Sequence, residues 1–436
     1  MGLSDAFDRA ASLVGDREPG VAVAVLRDGE VIHRRAYGMA DLEWELPLEP
    51  DCSFRIASLT KQFTAAAVLR LAEQGRLALE DPLQRHLPAF DPRGRIVTLE
   101  HLLNHTSGLR NHDKTEPLRE ARPNIPVAEV IGRVIGAPFE FEPGARYRYC
   151  NTGYLLLGAV IEAASGAPYG TFLQREFFAP LGMDRTGLFA RNVVVPKRAR
   201  GHVRGRRGFY NALGDAENWS YAAGGLSSTL DDLATWDRAL RYGRVMQPQS
   251  FARMIAPTMT AEGPYPYGLG WGVGEYLGCR LHHHTGGISG YACQMTRLTD
   301  EPLTTIVLSN LDAFPFNRVT RGLLRAAKGL PAPAPVGRPT TTADIAACVG
   351  RYGNEDGAVF AAVDEDRIVF ATVPEQPDLR SYLTLGEGRF ATPLDPEEAY
   401  RFSDLQDGRY QTLEYASPLW PAQRFSRLAE GSGGEV

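Results

Sequence analysis

The chain has 436 residues, more than a single hydrophobic core usually supports, so we expect two domains. With 44% hydrophobic and 23% charged residues, its composition is that of a globular protein and argues against disorder. A formal net charge of −5 and the lack of a basic stripe argue against a nucleic-acid partner.

The sequence predicts neither a membrane protein nor a secreted one. No apolar run approaches the roughly 18 residues of a membrane span, and the first residues lack the basic and apolar regions of a signal peptide. The cysteines are scattered, odd in number and without zinc spacing, which is typical of a reducing compartment: Cys52, Cys150, Cys279, Cys293 and Cys348. We therefore expect a cytoplasmic protein without a membrane partner, and homo-oligomerisation stays open.

The chain begins with a helical pattern at residues 3–15, which a predicted β-hairpin follows. Residues 20–26 form a buried strand, Asp28-Gly29 is the turn, and residues 31–38 form the return strand. This hairpin predicts an antiparallel sheet.

A predicted amphipathic helix then carries the first candidate catalytic pair, and Gly75 is expected to end this helix. Ser58 and Lys61 are three residues apart, so they lie on one face of the helix. A serine hydroxyl needs a base within hydrogen-bond reach to act as a nucleophile, and a suitably placed lysine is such a base. Alone, this serine-x-x-lysine motif is weak, because short motifs also arise by chance.

The next part of the chain is largely helical by its periodicity. Thr98 is a predicted helix N-cap, and His101 and His105 are expected to be structural. Helical periodicity dominates residues 127–190, whereas residues 193–218 are irregular and arginine-rich, as expected for loops around a pocket mouth.

Strand patterns return before a proline-rich segment. Residues 323–330 predict a helix, and the four prolines within residues 331–339 predict a linker. Beyond the linker, short strands separated by turns suggest a small antiparallel β-barrel or sandwich. The strands expected before the linker are residues 267–273, 280–284, 291–298 and 304–311.

Two further motifs accompany the serine–lysine pair. Tyr149 and Asn151 precede a predicted helix, and residues 284–287 read histidine-threonine-glycine-glycine on or after a strand. In this order, the three motifs together resemble the penicillin-recognising serine hydrolases. That family includes class C β-lactamases, D-alanyl-D-alanine carboxypeptidases, related esterases and D-stereospecific aminopeptidases. The resemblance covers about residues 5–330.

The resemblance implies a role for each residue of the first two motifs. Ser58 would be the acylated nucleophile, Lys61 would share its proton, and Tyr149 would be the general base or proton shuttle. Asn151 would hydrogen-bond Lys61 and the amide of the substrate. The structural alternatives are a packed tyrosine and a helix N-cap at Asn151, and the N-cap role is compatible with the catalytic one.

The resemblance also implies that His284, Thr285, Gly286 and Gly287 bind the substrate. The commonest form of this motif has lysine in place of His284, and a neutral imidazole offers no fixed charge to a substrate carboxylate. This difference favours the D-aminopeptidases and esterases over the β-lactamases and carboxypeptidases. The glycines let a substrate backbone approach closely, and the N–H groups of Ser58 and Gly287 would stabilise an oxyanion.

Three consecutive histidines also raise the question of a metal site. Neighbours on a strand point to opposite faces, so at most His282 and His284 could share a metal. Since no acidic residue stands at ligand spacing, we expect no metal and no other cofactor.

The C-terminal part resembles the last domain of the D-aminopeptidases. Those enzymes carry two barrels, whereas about 100 residues remain here after the linker, enough for one. They also send a loop into the active site to cap the free amine of the substrate. The matching hairpin at residues 393–398 looks short, and its acidic residues are ordinary turn carboxylates or partners of an ammonium group.

Together these observations predict an α/β (α+β) protein with a β-lactamase-like antiparallel sheet, flanking helices, an all-helical region and a C-terminal β-barrel. The expected domains are residues 1–330 and 342–436, joined by a linker at 331–341. The predicted activity is hydrolysis of a small amide or peptide through an acyl-enzyme, as in a D-aminopeptidase or D-amino-acid amidase. The alternatives are a carboxylesterase of the same fold acting on a small ester, a weak β-lactamase, and a non-catalytic penicillin-binding relative.

Overall fold

The computed structural model describes residues 2–11, 13–112, 126–135, 137–190, 192–205, 208–213, 217–332, 337–354, 357–364, 367–371, 383–392, 395–418 and 420–428. The chain forms two compact units, Met1–Arg204 with Gly208–Leu330 and Gly205–Arg207 with Pro331–Val436. The first unit holds every candidate site residue named above.

The first unit combines helices with antiparallel strands. The strands are β1 (Val21–Arg27), β2 (Glu30–Tyr37), β3 (Met39–Asp41), β4 (Leu46–Pro47), β5 (Phe54–Arg55), β6 (Gly187–Leu188), β7 (His202–Gly205), β8 (Gly208–Asn211), β9 (Leu226–Ser228), β10 (Thr258–Thr260), β11 (Gly263–Tyr265), β12 (Gly272–Tyr276), β13 (Cys279–Ile288), β14 (Tyr291–Leu298) and β15 (Leu303–Ser309). The helices are α1 (Leu3–Ala11), α2 (Thr60–Glu73), α3 (Leu99–Leu103), α4 (Val127–Ile135), α5 (Asn151–Ser165), α6 (Tyr169–Leu173), α7 (Ala179–Leu181), α8 (Glu217–Gly224), α9 (Leu230–Arg241), α10 (Pro248–Met254) and α11 (Phe316–Ala327).

The main sheet has the strand order β12-β13-β14-β15-β1-β2, with every neighbouring pair antiparallel. The predicted N-terminal hairpin is confirmed, because β1 and β2 are paired neighbours. Asp28 and Gly29 have φ values of 52° and 79°, as the tight turn between two twisted strands requires. Strand β15 pairs with β1, so the first and last strands of this unit lie side by side in one sheet.

Helices cover both faces of this sheet. Gln294 and Arg297 of β14 are three residues apart, so their side chains point to opposite faces. Thr320 of α11 hydrogen-bonds Gln294 at 3.1 Å, and Asp237 of α9 accepts from Arg297 at 2.6 Å. Helices α11 and α9 therefore lie on opposite faces, which explains why β14 and β15 are buried along their whole length.

Helix α2 is the central helix of the unit. It was predicted to be amphipathic, but it is buried on all sides, because Thr60–Leu69 and Leu71 are all inaccessible to solvent. The predicted stop is confirmed, since Gly75 follows the C-cap with a φ of 68°. Burial on all sides fixes the helix that follows the candidate nucleophile.

The predicted start of α3 is also confirmed. Thr98 caps α3 by accepting the His101 N–H at 3.2 Å, and the His101 ring accepts the Thr98 N–H in return. Gly166 ends α5 in the left-handed conformation, with a φ of 69°.

The second unit is a nine-stranded antiparallel sheet beside one short helix, as far as its described residues show. The strand order is β16-β20-β21-β22-β23-β24-β17-β18-β19. Its elements are β16 (Arg338–Pro339), α12 (Thr342–Ala346), β17 (Gly350–Asn354), β18 (Gly357–Asp364), β19 (Arg367–Ala371), β20 (Leu383–Gly386), β21 (Arg389–Thr392), β22 (Asp395–Gln406), β23 (Arg409–Ser417) and β24 (Trp420–Arg427).

The expected closed barrel is wrong, because this sheet is an open half-barrel. Within the described residues, no ladder joins its outer strands β16 and β19. Strand β16 is only two residues long, and Pro339 cannot donate to a ladder. Helix α12 packs against β19 instead and contributes Ile345 to the core.

The structure also bears on the predicted linker and on the predicted hairpin of this unit. Arg338 and Pro339 were placed in the linker, but they pair with β20. Of the short hairpin at residues 393–398, Pro393 and Leu394 lie outside the described residues, whereas Glu397 and Glu398 belong to strand β22. Among the helices that the structure describes, none has the length and apolar character needed to cross a bilayer.

Candidate active site

Ser58 lies in a short 3₁₀ helix of one turn, Ala57–Leu59, directly before α2. Its side chain is half-buried at the edge of a cleft. The preceding residue, Ala57, has a φ of 44°, a conformation that costs an alanine free energy and persists only where the surrounding packing enforces it. Strand β5 pairs with β9 just before this turn and fixes its entry.

Lys61 is fully buried, and each of its three N–H groups has an acceptor. Its Nζ lies 3.0 Å from Ser58 Oγ, 2.8 Å from Asn151 Oδ1 and 2.7 Å from the carbonyl oxygen of Ala223. A buried ammonium group is costly unless it is hydrogen-bonded in this way. The ring of Tyr149, centred 4.7 Å from Nζ, adds a cation–π contact.

Tyr149 approaches the same serine from the loop before α5. Its O–H donates to Ser58 Oγ at 2.8 Å. The structure therefore brings Ser58, Lys61 and Tyr149 into mutual contact, although 91 residues separate the tyrosine from the serine in sequence. The alternative that Tyr149 is only a packed aromatic residue is wrong, because its hydroxyl contacts Ser58.

Asn151 is the first residue of α5 and not its N-cap. The N-cap is Cys150, and it makes no side-chain capping bond. The Asn151 side chain instead accepts from Lys61, while its backbone N–H donates to Asn111 Oδ1 at 3.2 Å. The structure thus brings Asn151 together with the serine–lysine pair.

The histidine-threonine-glycine motif lies on β13, and its two glycines face different surroundings. A Cβ at Gly286 would lie 2.5 Å from Cys293 Sγ and 2.6 Å from the carbonyl oxygen of Ile56, so only glycine fits there. A Cβ at Gly287 would meet no atom within 4 Å, and Gly287 lines the cleft. Thr285, half-buried, precedes this pair.

His284 is buried behind the cleft and does not line it. Its Nδ1 lies 2.6 Å from the carbonyl oxygen of Thr285, and its Nε2 lies 2.9 Å from the Tyr267 hydroxyl. Burial, together with the positive charge of Lys61, lowers the pKa of His284 to about 3. The imidazole is therefore neutral, with its proton on Nδ1, because a carbonyl oxygen can only accept.

The same reasoning assigns the ring proton of His105, a residue that the sequence analysis predicted to be structural. The backbone N–H of Cys150 donates to His105 Nδ1 at 3.1 Å, so the ring proton is on Nε2, 3.3 Å from the Tyr267 hydroxyl. Burial lowers the pKa of His105 well below its usual value. A neutral chain thus runs from Cys150 through His105, Tyr267 and His284 to Thr285. We call it the histidine–tyrosine chain.

The cleft is open to solvent and is lined by ten residues. Motif reasoning identified three of its ten lining residues, Ser58, Asn151 and Gly287, and missed the other seven. His112 comes from the loop after the His105 turn, and Trp219 and Ser220 follow the irregular stretch that was predicted to surround a pocket mouth. The lining residues are Ala57, Ser58, His112, Asn151, Trp219, Ser220, Ala223, Gly224, Gly287 and Ile288.

No metal centre is evident in the part of the chain that the structure describes, since no three His, Cys, Asp or Glu side chains gather there. Burial, with Arg297 and Arg280 nearby, lowers the pKa of His282 to about 4.

The chain matches a known class of proteins in sequence and in fold. Residues 7–329 match the Beta-lactamase family, and the chain belongs to that family. This confirms the resemblance inferred from the three motifs. Membership of this family, together with relatives named D-aminopeptidase, supports the prediction that the protein is a hydrolase.

Individual relatives narrow the comparison. Penicillin-binding protein 4* of Bacillus subtilis is 30% identical over 382 residues, which cover 81% of this chain and 84% of that protein. A D-aminopeptidase of Brucella anthropi is 32% identical over 299 residues, or 67% of this chain, and the alignment covers 56% of that enzyme. The chain therefore matches little more than half of that D-aminopeptidase.

Solved structures show the same fold. The D-amino acid amidase of Ochrobactrum anthropi SV3, in complex with D-phenylalanine, has a TM-score of 0.66 and 25% identity, covering 75% of this chain and 99% of the amidase. An octameric penicillin-binding protein homologue from Pyrococcus abyssi has a TM-score of 0.69 and 23% identity, covering 97% of this chain and 99% of that one.

Proposed function

We propose that the protein is a serine hydrolase that forms an acyl-enzyme at Ser58 and cleaves small amides or short peptides. The substrates we favour have a D-residue on the N-terminal side of the scissile bond, as the names of the D-aminopeptidase and D-amino acid amidase relatives suggest. The observation that supports the mechanism is the double contact of Ser58 Oγ with Tyr149 and Lys61, at 2.8 and 3.0 Å.

The hydrogen-bond pattern suggests how the proton moves. Lys61 has three acceptors around Nζ, the arrangement of an ammonium group, so it donates to Ser58 and does not accept from it. For Tyr149 to act as the base, it first loses the proton that it donates to Ser58 in the resting site. As a phenolate it then accepts the Ser58 proton when Oγ attacks the carbonyl carbon. The neighbouring ammonium group stabilises that phenolate.

The reaction proceeds in two balanced steps. In acylation, Ser58 Oγ bonds to the carbonyl carbon, the carbon–nitrogen bond breaks, and Tyr149 passes the proton to the leaving amine. In deacylation, water attacks the ester, gives a proton to Tyr149, and releases the acid as Ser58 recovers its hydrogen. The backbone N–H groups of Ser58 and Gly287 stabilise the oxyanion in both steps.

The neutral surroundings support amides without a carboxylate as substrates. Where the commonest form of the third motif has lysine, His284 is neutral and buried. None of the ten residues that line the cleft in the described structure is Asp, Glu, Lys or Arg. A carboxylate, as penicillins carry, would have no positive partner among these lining residues, and the three N–H groups of the nearby Lys61 already have acceptors.

Two chromogenic substrates and an acylating probe test this proposal. We expect D-alanine p-nitroanilide to be hydrolysed faster than its L-isomer, and an active-site acylating agent to add one adduct per chain. Ser58→Ala should abolish both signals, whereas Ser4→Ala, an exposed serine of α1, should change neither. Hydrolysis of p-nitrophenyl acetate alone would identify a carboxylesterase, and an adduct that survives Ser58→Ala would refute the mechanism.

A further inference from the structure

A strained segment follows the break in α8. Tyr221 has φ and ψ of 31° and −122°, which residues with a Cβ rarely adopt, and the helix is kinked there. The Gly225 N–H donates to the Tyr221 carbonyl oxygen at 2.7 Å and closes a tight turn. Because such strain survives only where the surroundings enforce it, the contacts that hold this segment are informative.

On one side, the segment is bound to the helix that follows the nucleophile. Thr64 Oγ1 donates to the carbonyl oxygen of Ala222 at 2.7 Å, and Lys61 Nζ donates to that of Ala223 at 2.7 Å. Further along, the Leu226 N–H donates to Thr60 Oγ1 at 3.1 Å. Strain at Tyr221 thus turns two successive carbonyl groups towards α2.

On the other side, the Tyr221 ring is anchored to α5. Its O–H donates to Glu162 Oε1 at 2.7 Å, and the same oxygen accepts the Tyr169 N–H at 2.8 Å. The ring packs on Gly158, where a Cβ would lie only 2.4 Å from a ring carbon. A glycine at this point of α5 therefore makes room for the anchored tyrosine.

We propose that Tyr221 and Glu162 are positioning residues that hold the Ala223 carbonyl group against Lys61 Nζ. This inference rests on the function proposed above. An ammonium group has three N–H bonds in fixed tetrahedral directions, so engaging two of them with Ala223 and Asn151 aims the third at Ser58 Oγ. Without the anchor, the strained segment relaxes and Lys61 loses the acceptor that orients it.

Tyr221→Phe tests the anchor, because it keeps the ring on Gly158 and removes only the bond to Glu162. Tyr37→Phe is the matched control, since Tyr37 O–H donates to the Asp8 carboxylate at 2.6 Å and neither residue lines the cleft. We measure Ser58 acylation by quenched-flow mass spectrometry and the steady-state hydrolysis of p-nitrophenyl acetate, both per titrated active site. Tyr221→Phe should slow acylation about tenfold with KM within about threefold, whereas Tyr37→Phe should acylate at the wild-type rate.

Glu162 supplies the second pair of variants. Glu162→Gln retains an Oε1 that accepts from both Tyr221 and Tyr169, so it should acylate within about threefold of wild type. Glu162→Ala removes the acceptor and should match or exceed the loss in Tyr221→Phe. This pair also decides the inference if Tyr221→Phe does not fold.

The outcomes separate the two proposals. Wild-type protein in which Ser58 is never acylated would refute the proposed function and this inference with it. Normal wild-type acylation with an unchanged rate in Tyr221→Phe and Glu162→Ala, per titrated site, would refute the inference alone. Equal losses in Glu162→Gln and Glu162→Ala would also refute it, because the acceptor would then not be the group that matters.

Discussion

Two buried polar networks meet at Tyr149, and they differ in charge. Lys61 and its three acceptors form a network around a cation, whereas the histidine–tyrosine chain contains two neutral imidazoles and a phenol. The ring of His105 packs 4.4 Å from the ring of Tyr149, centroid to centroid, so both networks contact the same tyrosine. This difference suggests that the charged network takes part in proton transfer, whereas the neutral chain orients the groups around it.

The neutral chain is suited to orientation because backbone groups fix its protons at both ends. The Cys150 N–H can only donate and the Thr285 carbonyl oxygen can only accept, so each histidine has one tautomer. The chain thereby links the Tyr149 loop to strand β13, which carries Gly287. Loss of a charged group should therefore reduce activity most, and loss of a neutral group should reduce stability most.

The largest effect should come from removing the cation. We expect Lys61→Met to lower kcat/KM by about 10³-fold or more, because Ser58 loses its ammonium partner and Tyr149 its neighbouring charge. The measurement is hydrolysis of the best chromogenic substrate. Lys197→Met removes an exposed lysine that pairs with Asp51, and it should leave kcat/KM unchanged. A Lys61→Met enzyme that retains a tenth of the activity would contradict the assignment.

The shared tyrosine should give the next largest effect. Tyr149→Phe keeps the ring between the two networks and removes the O–H, so we expect about a 10²-fold loss in kcat/KM with little change in melting temperature. Tyr147→Phe is the nearby control, because its ring remains stacked on Tyr265. Equal losses in the two variants would show that the Tyr149 hydroxyl has no special part.

The histidine–tyrosine chain should affect how the free energy of unfolding depends on pH. His284 binds no proton in the folded state until the pH nears its pKa of about 3, whereas an unfolded histidine is protonated below about pH 6.5. The free energy of unfolding therefore falls as the pH drops below 6.5, by up to about 1.4 kcal/mol per pH unit for this group.

His284→Gln removes that titration and keeps an acceptor for Tyr267. Chemical unfolding between pH 6 and pH 4 should show a shallower slope in the variant, by up to about 1.4 kcal/mol per pH unit. Parallel slopes for the two proteins would mean that His284 is protonated in the folded state.

The smallest effect should come from the middle of the neutral chain. Tyr267→Phe leaves both imidazoles without their shared hydroxyl, so the free energy of unfolding should fall by about 1–2 kcal/mol. Its kcat/KM should fall by less than about tenfold, because no charged group is lost. Denaturant titration and steady-state kinetics measure the two quantities, and a greater loss of activity than in Tyr149→Phe would reverse the proposed division of labour.

Sequence reasoning found the groups that motifs can show. Ser58 and Lys61 were named from side-chain type and spacing, and Tyr149 and Asn151 from the family resemblance. The structure brings all four together. It could not find the Ala223 carbonyl group, because a backbone acceptor has no signature of its own and depends on a strained turn at Tyr221. A sequence motif shows side chains only, whereas one of the three acceptors around Lys61 Nζ is a backbone carbonyl oxygen.

The same limit explains the other differences. Tyr267 is the first residue of a glycine-rich pattern that was predicted to be a strand. The sequence does not distinguish it from an ordinary buried aromatic residue, whereas the fold places it between His105 and His284. The half-barrel was predicted as closed because strand spacing predicts strands and not which edges pair, and a two-residue strand such as β16 gives little signal. Local patterns predicted elements and their ends, whereas long-range pairing needed the structure.

Gly286 has a consequence for how this enzyme could change its substrates. With Cys293 Sγ and the Ile56 carbonyl oxygen 2.5 and 2.6 Å from where a Cβ would be, strand β13 and the nucleophile turn are already as close as backbones allow. Substitution at this position cannot reshape that wall without displacing Ser58 itself. Altered specificity is therefore expected to evolve at lining residues that can be exchanged, such as Gly287, Trp219 and His112.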